Sequence, residues 1–371
     1  MKVNVLNCEK IKNRYQVTIN PHVFYIDGKG GQLGDRGKIG QADVIEVNEN
    51  YVFTNQNLEP GEYSYSIDMT RREDIAQQHT AQHTFSAVAF NDYDFNTVGF
   101  RMADEYTTVD LDSNTITDET IEQIEKKVND IINQGIDIKI YTVNHDEAFS
   151  IEGLRKPIKE KITGDIRFVE IPHIDIGACA GFHVNNTREM RLFKIINHEK
   201  IKGNFTRFYF LAGNRALNDY SYKHMLTREL CHTFSCTENN ILDMVDKMNS
   251  SKLEAENSLK HLAIEYSSLL AKDVINNALS IKNYKLVIYS GNKLVGDNLH
   301  KLIADDNFVV VTSNELNHAI TSKTINCKEL IGYISQKKDI KGGGNQIRGN
   351  FKGNITSEEI EKYIIEYINT L

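Results

Sequence analysis

Residues 78–87 read QHTAQHTFSA and place His79 and His83 four positions apart. Just upstream, Thr70 and Glu73 form a T-x-x-E capping box, so a helix is expected to start near Arg71 and run uninterrupted to Phe90. At a rise of about 1.5 Å per residue the two imidazoles fall roughly 6 Å apart on one helix face, close enough to share one metal ion. The same spacing also suits two helix histidines with separate hydrogen bonds. A second pair of donors decides between the two.

That pair stands in GACAGFHVNNTREM (177–190), where Cys179 and His183 form C-x-x-x-H in a glycine-rich loop between expected strands. Taken singly, Cys179 reads as a small buried hydrophobe and His183 as a structural hydrogen bonder. Taken together, two donors from a helix and two from a loop make a closed tetrahedral shell for Zn2+. The expected metal ligands are therefore His79, His83, Cys179 and His183.

Working outward, residues 1–69 hold short β-type runs, YQVTI, HVFYI, DVIEV, YVFT and YSYSI, around the glycine-rich DGKGGQLGDRGKIG (27–40). Short strands with glycine turns predict a small β-barrel. TTVDLD, DIKIYTV and IRFVEI read as further strands, DETIEQIEKKVNDIINQ as an amphipathic helix ended by Gly135, and MRLFKIINHEKIKGNFTRFYFLAG as a hairpin. From Ile241 to Leu269 apolar residues keep a/d spacing, broken at Lys252. This is either a long helix packed on its own domain or a coiled-coil arm joining domains or chains. Beyond it KLVIYS, FVVVTS, CKELIGYIS and a final helix capped by Ser357 predict an α/β domain. The expected class is α+β: a barrel domain (1–69), a zinc-containing core (70–238), a helical arm (239–280) and a C-terminal α/β domain (281–371).

Of the 371 residues 40% are apolar and 25% charged, which is ordinary for a globular protein. The odd count of five cysteines is no disulfide framework, and no run resembles a signal peptide or membrane span, so a cytoplasmic protein with reduced thiols is expected. The net charge of −8 argues against nonspecific coating of nucleic acid but leaves room for a local basic patch. QKKDIKGGGNQIRGNFKG (336–353) is one, with Lys337, Lys338, Lys341 and Arg348.

These motifs resemble the editing domain of alanyl-tRNA synthetase and its free-standing AlaX relatives. HTAQH is similar to the family's H-T-x-x-H, CAGFHV to C-G-G-T-H-V, FYIDGKGGQLGDRG to its glycine-rich loop, and KGNFTRFYFLAGNRAL to the stretch after the cysteine loop. KGGGNQIRGNFKG resembles the glycine-rich segment of the C-terminal DHH-associated domain. The resemblance implies a free-standing, zinc-containing hydrolase that deacylates seryl- or glycyl-tRNA for alanine, with tRNA as partner, no membrane and a possible homodimer through the arm or C-terminal domain. It implies catalytic roles for Gln32 and His183. Contacts to substrate or tRNA are expected from His22, Gly30, Gly31, Gln32, Asp35, Arg207 and Arg215, and phosphate contacts from Lys337, Lys338, Lys341 and Arg348.

An apolar first site rejects an added hydroxyl only about 10²-fold, which is why a second, hydroxyl-reading site is needed. Zinc could hold a hydroxide, but a four-ligand shell leaves no open position; His183 is the ligand expected to be loose. Three departures stand out: His22 where the family has a hydroxyl, an extra residue in the glycine loop, and Phe182 in place of threonine. They keep two other readings open, a catalytically idle tRNA-binding protein with a structural zinc and a threonyl-type editing enzyme.

Overall fold

The computed structural model describes residues 1–158, 164–303 and 305–371, which form two compact units, 1–229 and 230–371. The expected barrel and zinc-site core share the first unit. The long helix and the C-terminal α/β region make up most of the second.

In the first unit β1 (Lys2–Ile11), β2 (Arg14–Asn20), β3 (Gly37–Ile39), β4 (Ala42–Val47), β5 (Val52–Thr54) and β6 (Gly61–Ile67) close into a barrel in the order β1-β2-β5-β4-β3-β6. Alternation drives the closure: Val3, Val5, Val17 and Ile19 point inward to a core completed by Phe24, Ile39 and Val44, and closure leaves no unpaired edge. HVFYI, expected as a strand, is loop instead. The Tyr25 N–H donates to the Asp35 carboxylate (2.7 Å) and its carbonyl accepts from Asp35 N (3.0 Å), so this segment pairs with the glycine loop rather than with a neighbouring strand.

The histidine helix α1 (Met69–Tyr93) starts earlier than the capping box predicted. Its cap is Asp68, which accepts from Arg71 N at 3.0 Å and leaves Thr70 inside the first turn. Every residue from Ile75 to Ala89 is buried, so α1 is a central helix rather than an amphipathic one. Its polar side chains must therefore find partners inside the protein: Gln78 holds both polar atoms of Ala212 (2.8 and 3.0 Å), and Gln77 reaches Glu189 O and Asn214 N. Around it lie β7 (Thr97–Met102), β8 (Thr107–Leu111), α2 (Asp118–Gln134), β9 (Lys139–Val143), α3 (His145–Ala148), β10 (Ile166–Ile171), β11 (Asp175–Ala178), β12 (Phe193–Ile201), β13 (Phe205–Ala212) and α4 (Gly213–Phe234). Two antiparallel sheets result, β12-β13-β8-β7 and β11-β10-β9, and Phe85, Phe193, Phe208 and Phe210 fill the core between α1 and the larger one. Gly135 ends α2 with φ 70°, as its position predicted.

In the second unit α5 (Ile241–Asn276) precedes β14 (Leu279–Ile281), β15 (Tyr284–Ser290), α6 (Lys293–Leu302), β16 (Phe308–Asn314), β17 (Asn317–Ser322), α7 (Cys327–Lys337), β18 (Ile340–Gly344), β19 (Arg348–Gly353) and α8 (Ser357–Thr370). The sheet runs β14-β15-β16-β17-β19-β18, parallel only where α6 crosses between β15 and β16. The last helix is capped by Thr356, in a capping box with Glu359, rather than by Ser357. On α5 the a/d residues do not pack into their own unit: Leu259, Leu262 and Leu269 are 51%, 62% and 72% exposed. Packing runs instead through the small residues Ala263, Ser267 and Ala271, whose spacing of four marks a second face. Among the described residues no helix is long and apolar enough to cross a membrane.

Candidate metal centre

The burial of α1 fixes two of the four expected donors. His79 and His83 lie one turn apart on the face turned to the loop after β11, with ring centroids 5.3 Å apart. That loop returns Cys179 and His183, so the ligand atoms of all four side chains lie within 4.8 Å of one another. Cys179 Sγ is 3.5 Å from His79 Nε2 and 3.3 Å from His183 Nε2. Tetrahedral sites with metal–nitrogen and metal–sulfur bonds of about 2.0 and 2.3 Å have ligand-to-ligand edges of about 3.3–3.8 Å, so these two edges fit.

The ring orientations point the same way. His79 Nδ1 is 2.9 Å from Gln32 Oε1, and His83 Nδ1 is 2.9 Å from Asp175 Oδ2; both partners only accept, so both Nδ1 atoms carry the proton. His183 Nδ1 lies 3.1 Å from Thr80 Oγ1, whose own hydrogen goes to Ala76 O, so it also donates. All three imidazoles are thereby set in the tautomer that leaves Nε2 free to ligate. The partners differ in strength. His83 has a carboxylate held in turn by Arg155 (Nε to Oδ1, 2.8 Å), whereas His183 has a neutral hydroxyl.

Charge follows from these contacts. Burial opposes the Cys179 thiolate, but its close contacts with His183, His79 and His83 outweigh it and hold the thiol at about 2. Burial lowers His183 to about 3 and also lowers His79. Burial pulls His83 down too, but Asp175 and Cys179 carry it up to about 9. A proton on His83 thus balances the thiolate until a cation replaces it. Replacing Asp175 with Asn removes the charge that orients His83 and leaves Arg155 facing an amide. Metal affinity is expected to fall about 10–100-fold, as read by competition with a chelator.

A cavity of about 330 Å³ opens beside the cluster, lined by His79, His83 and Cys179 with Gly30, Gln82, Thr97, Phe100 and the Arg155–Ile158 segment. The other expected residues divide. Gly30 and Gly31 adopt positive φ (68° and 76°), which brings the loop against Gly181 and Phe100. Gln32 is 2% exposed and ties two parts of the site together: Oε1 accepts from His79 and from Phe182 N (2.7 Å), while Nε2 is buried without a partner. The larger side chain at position 182 leaves this amide contact intact, its ring lying 4.6 Å from that of Tyr25. His22 also has a buried, unpaired Nε2 but does not line the cavity.

Several expected contacts to substrate or tRNA are committed within the protein. Asp35 is 1% exposed and grips Arg72 and Tyr25 N, which makes it a brace for the glycine loop. Arg215 is bound to Asp74 (2.6 Å) and Ala103 O, and Arg207 to Asp110 (2.7 and 2.8 Å). Lys338 pairs with Glu359 (2.7 Å) and Lys337 faces Glu366 (3.8 Å). Lys341 and Arg348 do converge, joined by Lys293 and Lys352 around a cavity of about 620 Å³ in the second unit. Sequence reasoning missed Thr80, Arg155 and Phe100. Only Thr80 left a signal, as the threonine inside HTAQH.

Residues 166–209 match the family described as the threonyl and alanyl tRNA synthetase second additional domain. Aarsd1 of Bos taurus, an alanyl-tRNA editing protein, is 32% identical over 68% of the chain and 58% of its own length. The Rattus norvegicus protein is 30% identical over 68% and 63%. The chain thus spans about three-fifths of these two relatives. AlaX-L of Pyrococcus horikoshii, likewise named an alanyl-tRNA editing protein, is 25% identical over 99% of the chain and 95% of its own length.

Proposed function

The chain belongs to the family of alanyl-tRNA editing proteins, and on that premise we propose that it is a zinc-containing deacylase of seryl- or glycyl-tRNA for alanine. The observation that carries the reading is the convergence of Cys179 Sγ and three oriented imidazoles within 4.8 Å, beside a cavity with room for an aminoacyl ester. When bound, zinc supplies a Lewis acid at the scissile carbonyl or lowers the pKa of a water. The chain's own residues do the placing. Asp175 and Arg155 hold His83 firmly, while the hydroxyl of Thr80 holds His183 less strongly, so of these two donors to a zinc ion His183 would be the more loosely held. Gln32 fixes the His79 ring and the cysteine loop through one oxygen, and its unpaired Nε2 is a donor in reserve. Gln82 and Thr97 are the neutral polar side chains lining the cavity, placed to read a serine hydroxyl in the role expected of position 22.

The partner is tRNA. Lys293, Lys341, Arg348 and Lys352 around the second unit's cavity offer its phosphate contacts, opposed by Asp297. Affinity should then fall steeply with salt. The double variant Lys341→Ala, Lys352→Ala should flatten the log–log slope by roughly 1.4–1.8, at about 0.7–0.9 per lost contact. A slope unchanged in a filter-binding titration would remove this surface from the interface. The exposed a/d seam of α5 is where a second copy would pair.

The activity test is direct. Seryl-, glycyl- and alanyl-tRNA for alanine and seryl-tRNA for threonine are incubated with the metal-loaded protein, and ester loss is followed. Loss of the seryl or glycyl ester with the alanyl ester spared is expected. Preference for the threonine tRNA would move the protein to threonyl-type editing, and no loss on any substrate would leave a binding protein.

A further inference from the structure

A second cavity, also of about 330 Å³, lies on the far side of Phe100 from the metal cluster, lined by Gly99, Arg101, Tyr106, Arg207 and Tyr209 among others. Phe100 lines both cavities. It is fixed in place: its ring lies 5.9 Å from that of His79, and the glycine loop packs so closely on its tip that a Cβ at Gly31 would overlap Cζ. Its side chain turns inward with Val109 and Phe208, while Gly99, Arg101, Arg207 and Tyr209 alternate to the other face, so the sheet itself separates the two cavities at its β7 edge. Its strand, β7, is the edge of its sheet, so no further strand covers this side.

The lining of the second cavity has the composition of a nucleotide subsite. Tyr106 and Tyr209 present aromatic surface, their rings 5.2 Å apart and edge to face at 70°. Arg207 is matched by Asp110. Arg101 is exposed, and among the described residues its guanidinium has no ion pair or hydrogen bond, whereas Arg71, Arg72, Arg207 and Arg215 in the same unit are each paired with an aspartate. An aromatic wall with one free cation at the rim suits an unstacked base and its phosphate. It does not suit a duplex, which needs a broad basic face.

We propose that this cavity is a binding subsite for the nucleotide immediately 5′ to the esterified terminal nucleoside, with Arg101 on its phosphate and Tyr106 against its base. This rests on the deacylase reading of the neighbouring cluster and adds a path for the single-stranded end: ester at the metal, terminal nucleoside against Phe100, preceding nucleotide around the β7 edge on the outer face of the sheet. The subsite supplies binding, not chemistry, so its loss should appear only with substrates that carry the extra nucleotide.

The test compares two seryl esters, full-length seryl-tRNA for alanine and 3′-O-seryl-adenosine, on metal-loaded wild type, Arg101→Ala and Tyr106→Ala. On the tRNA, each variant is expected to lose about five- to a hundredfold in kcat/KM, chiefly through KM. On seryl-adenosine and in metal content both should match wild type. A third substrate, seryl-tRNA abasic at the penultimate position, should cost wild type the same factor as Tyr106→Ala and cost that variant nothing more. Equal losses on tRNA and seryl-adenosine would show that the residues act through the cluster and overturn the subsite, as would no loss on either. A wild type inert on both esters would instead overturn the deacylase reading, and the subsite with it.

Discussion

Cys179→Ala is expected to leave the protein without its metal and to lower deacylation of seryl-tRNA by at least about a hundredfold, beyond the range typical of losing an outer-sphere partner. The thiolate is the one anionic ligand of the four, and the imidazoles of His79, His83 and His183 surround it. Its removal leaves three neutral imidazoles around a cation that nothing in the shell offsets. Two measurements separate the effects. Elemental analysis should give near-stoichiometric metal in wild type and near none in the variant. Thermal unfolding should show the variant close to chelated wild type, because only the native state binds the ion. A variant that kept both metal and rate would end the proposal that these four side chains form the working centre.

What the sequence made legible follows from the range of each interaction. The donors His79 and His83 could be seen because a helix converts a spacing of four into one face, and Cys179 and His183 because a short loop does nearly the same. The barrel, the helix ended by Gly135 and the β12–β13 hairpin are equally local. Gln32 was legible as a site residue through its glycine-rich loop, but its bond to His79, 47 residues on, and that of Asp175 to His83, 92 residues back, left no local pattern. A lone Arg155 or Phe100 has no pattern around it. HVFYI misled because its β-branched and aromatic residues are those of a strand while its hydrogen bonds go to Asp35. The partners of Arg215 and Arg207, expected to contact substrate or tRNA, were out of sight for a related reason: Asp74 and Asp110 lie far off in the chain. On α5 the heptad spacing was genuine, but the small residues on another face do the packing.

Gly181→Ala tests the same centre through shape alone, adding one methyl group and no charge. A Cβ there would overlap His79 Cε1 and stand 2.6 Å from Gln32 Oε1, so neither neighbour can stay where it is. Both are buried, His79 at 1% and Gln32 at 2% exposure, so the strain cannot be passed to solvent. The cysteine loop must instead lift away from α1. It carries Cys179 and His183, and its retreat opens the shell on the side where Phe182 N meets Gln32. The expected result is metal affinity weakened by at least tenfold, deacylation reduced in proportion, and a stability loss of about 1–3 kcal/mol from overpacking. The loop is anchored independently by Arg167, whose Nη1 reaches Cys179 O (2.6 Å) and Gly181 O (2.9 Å), so the fold should survive while the site is lost. Ala180→Gly, at the exposed neighbouring position, is the control and should leave affinity nearly unchanged. If Gly181→Ala bound metal as tightly as wild type, the close approach of this loop to His79 would not be what sets the ligand geometry, and the link drawn from Gln32 through His79 to the cysteine loop would fail with it.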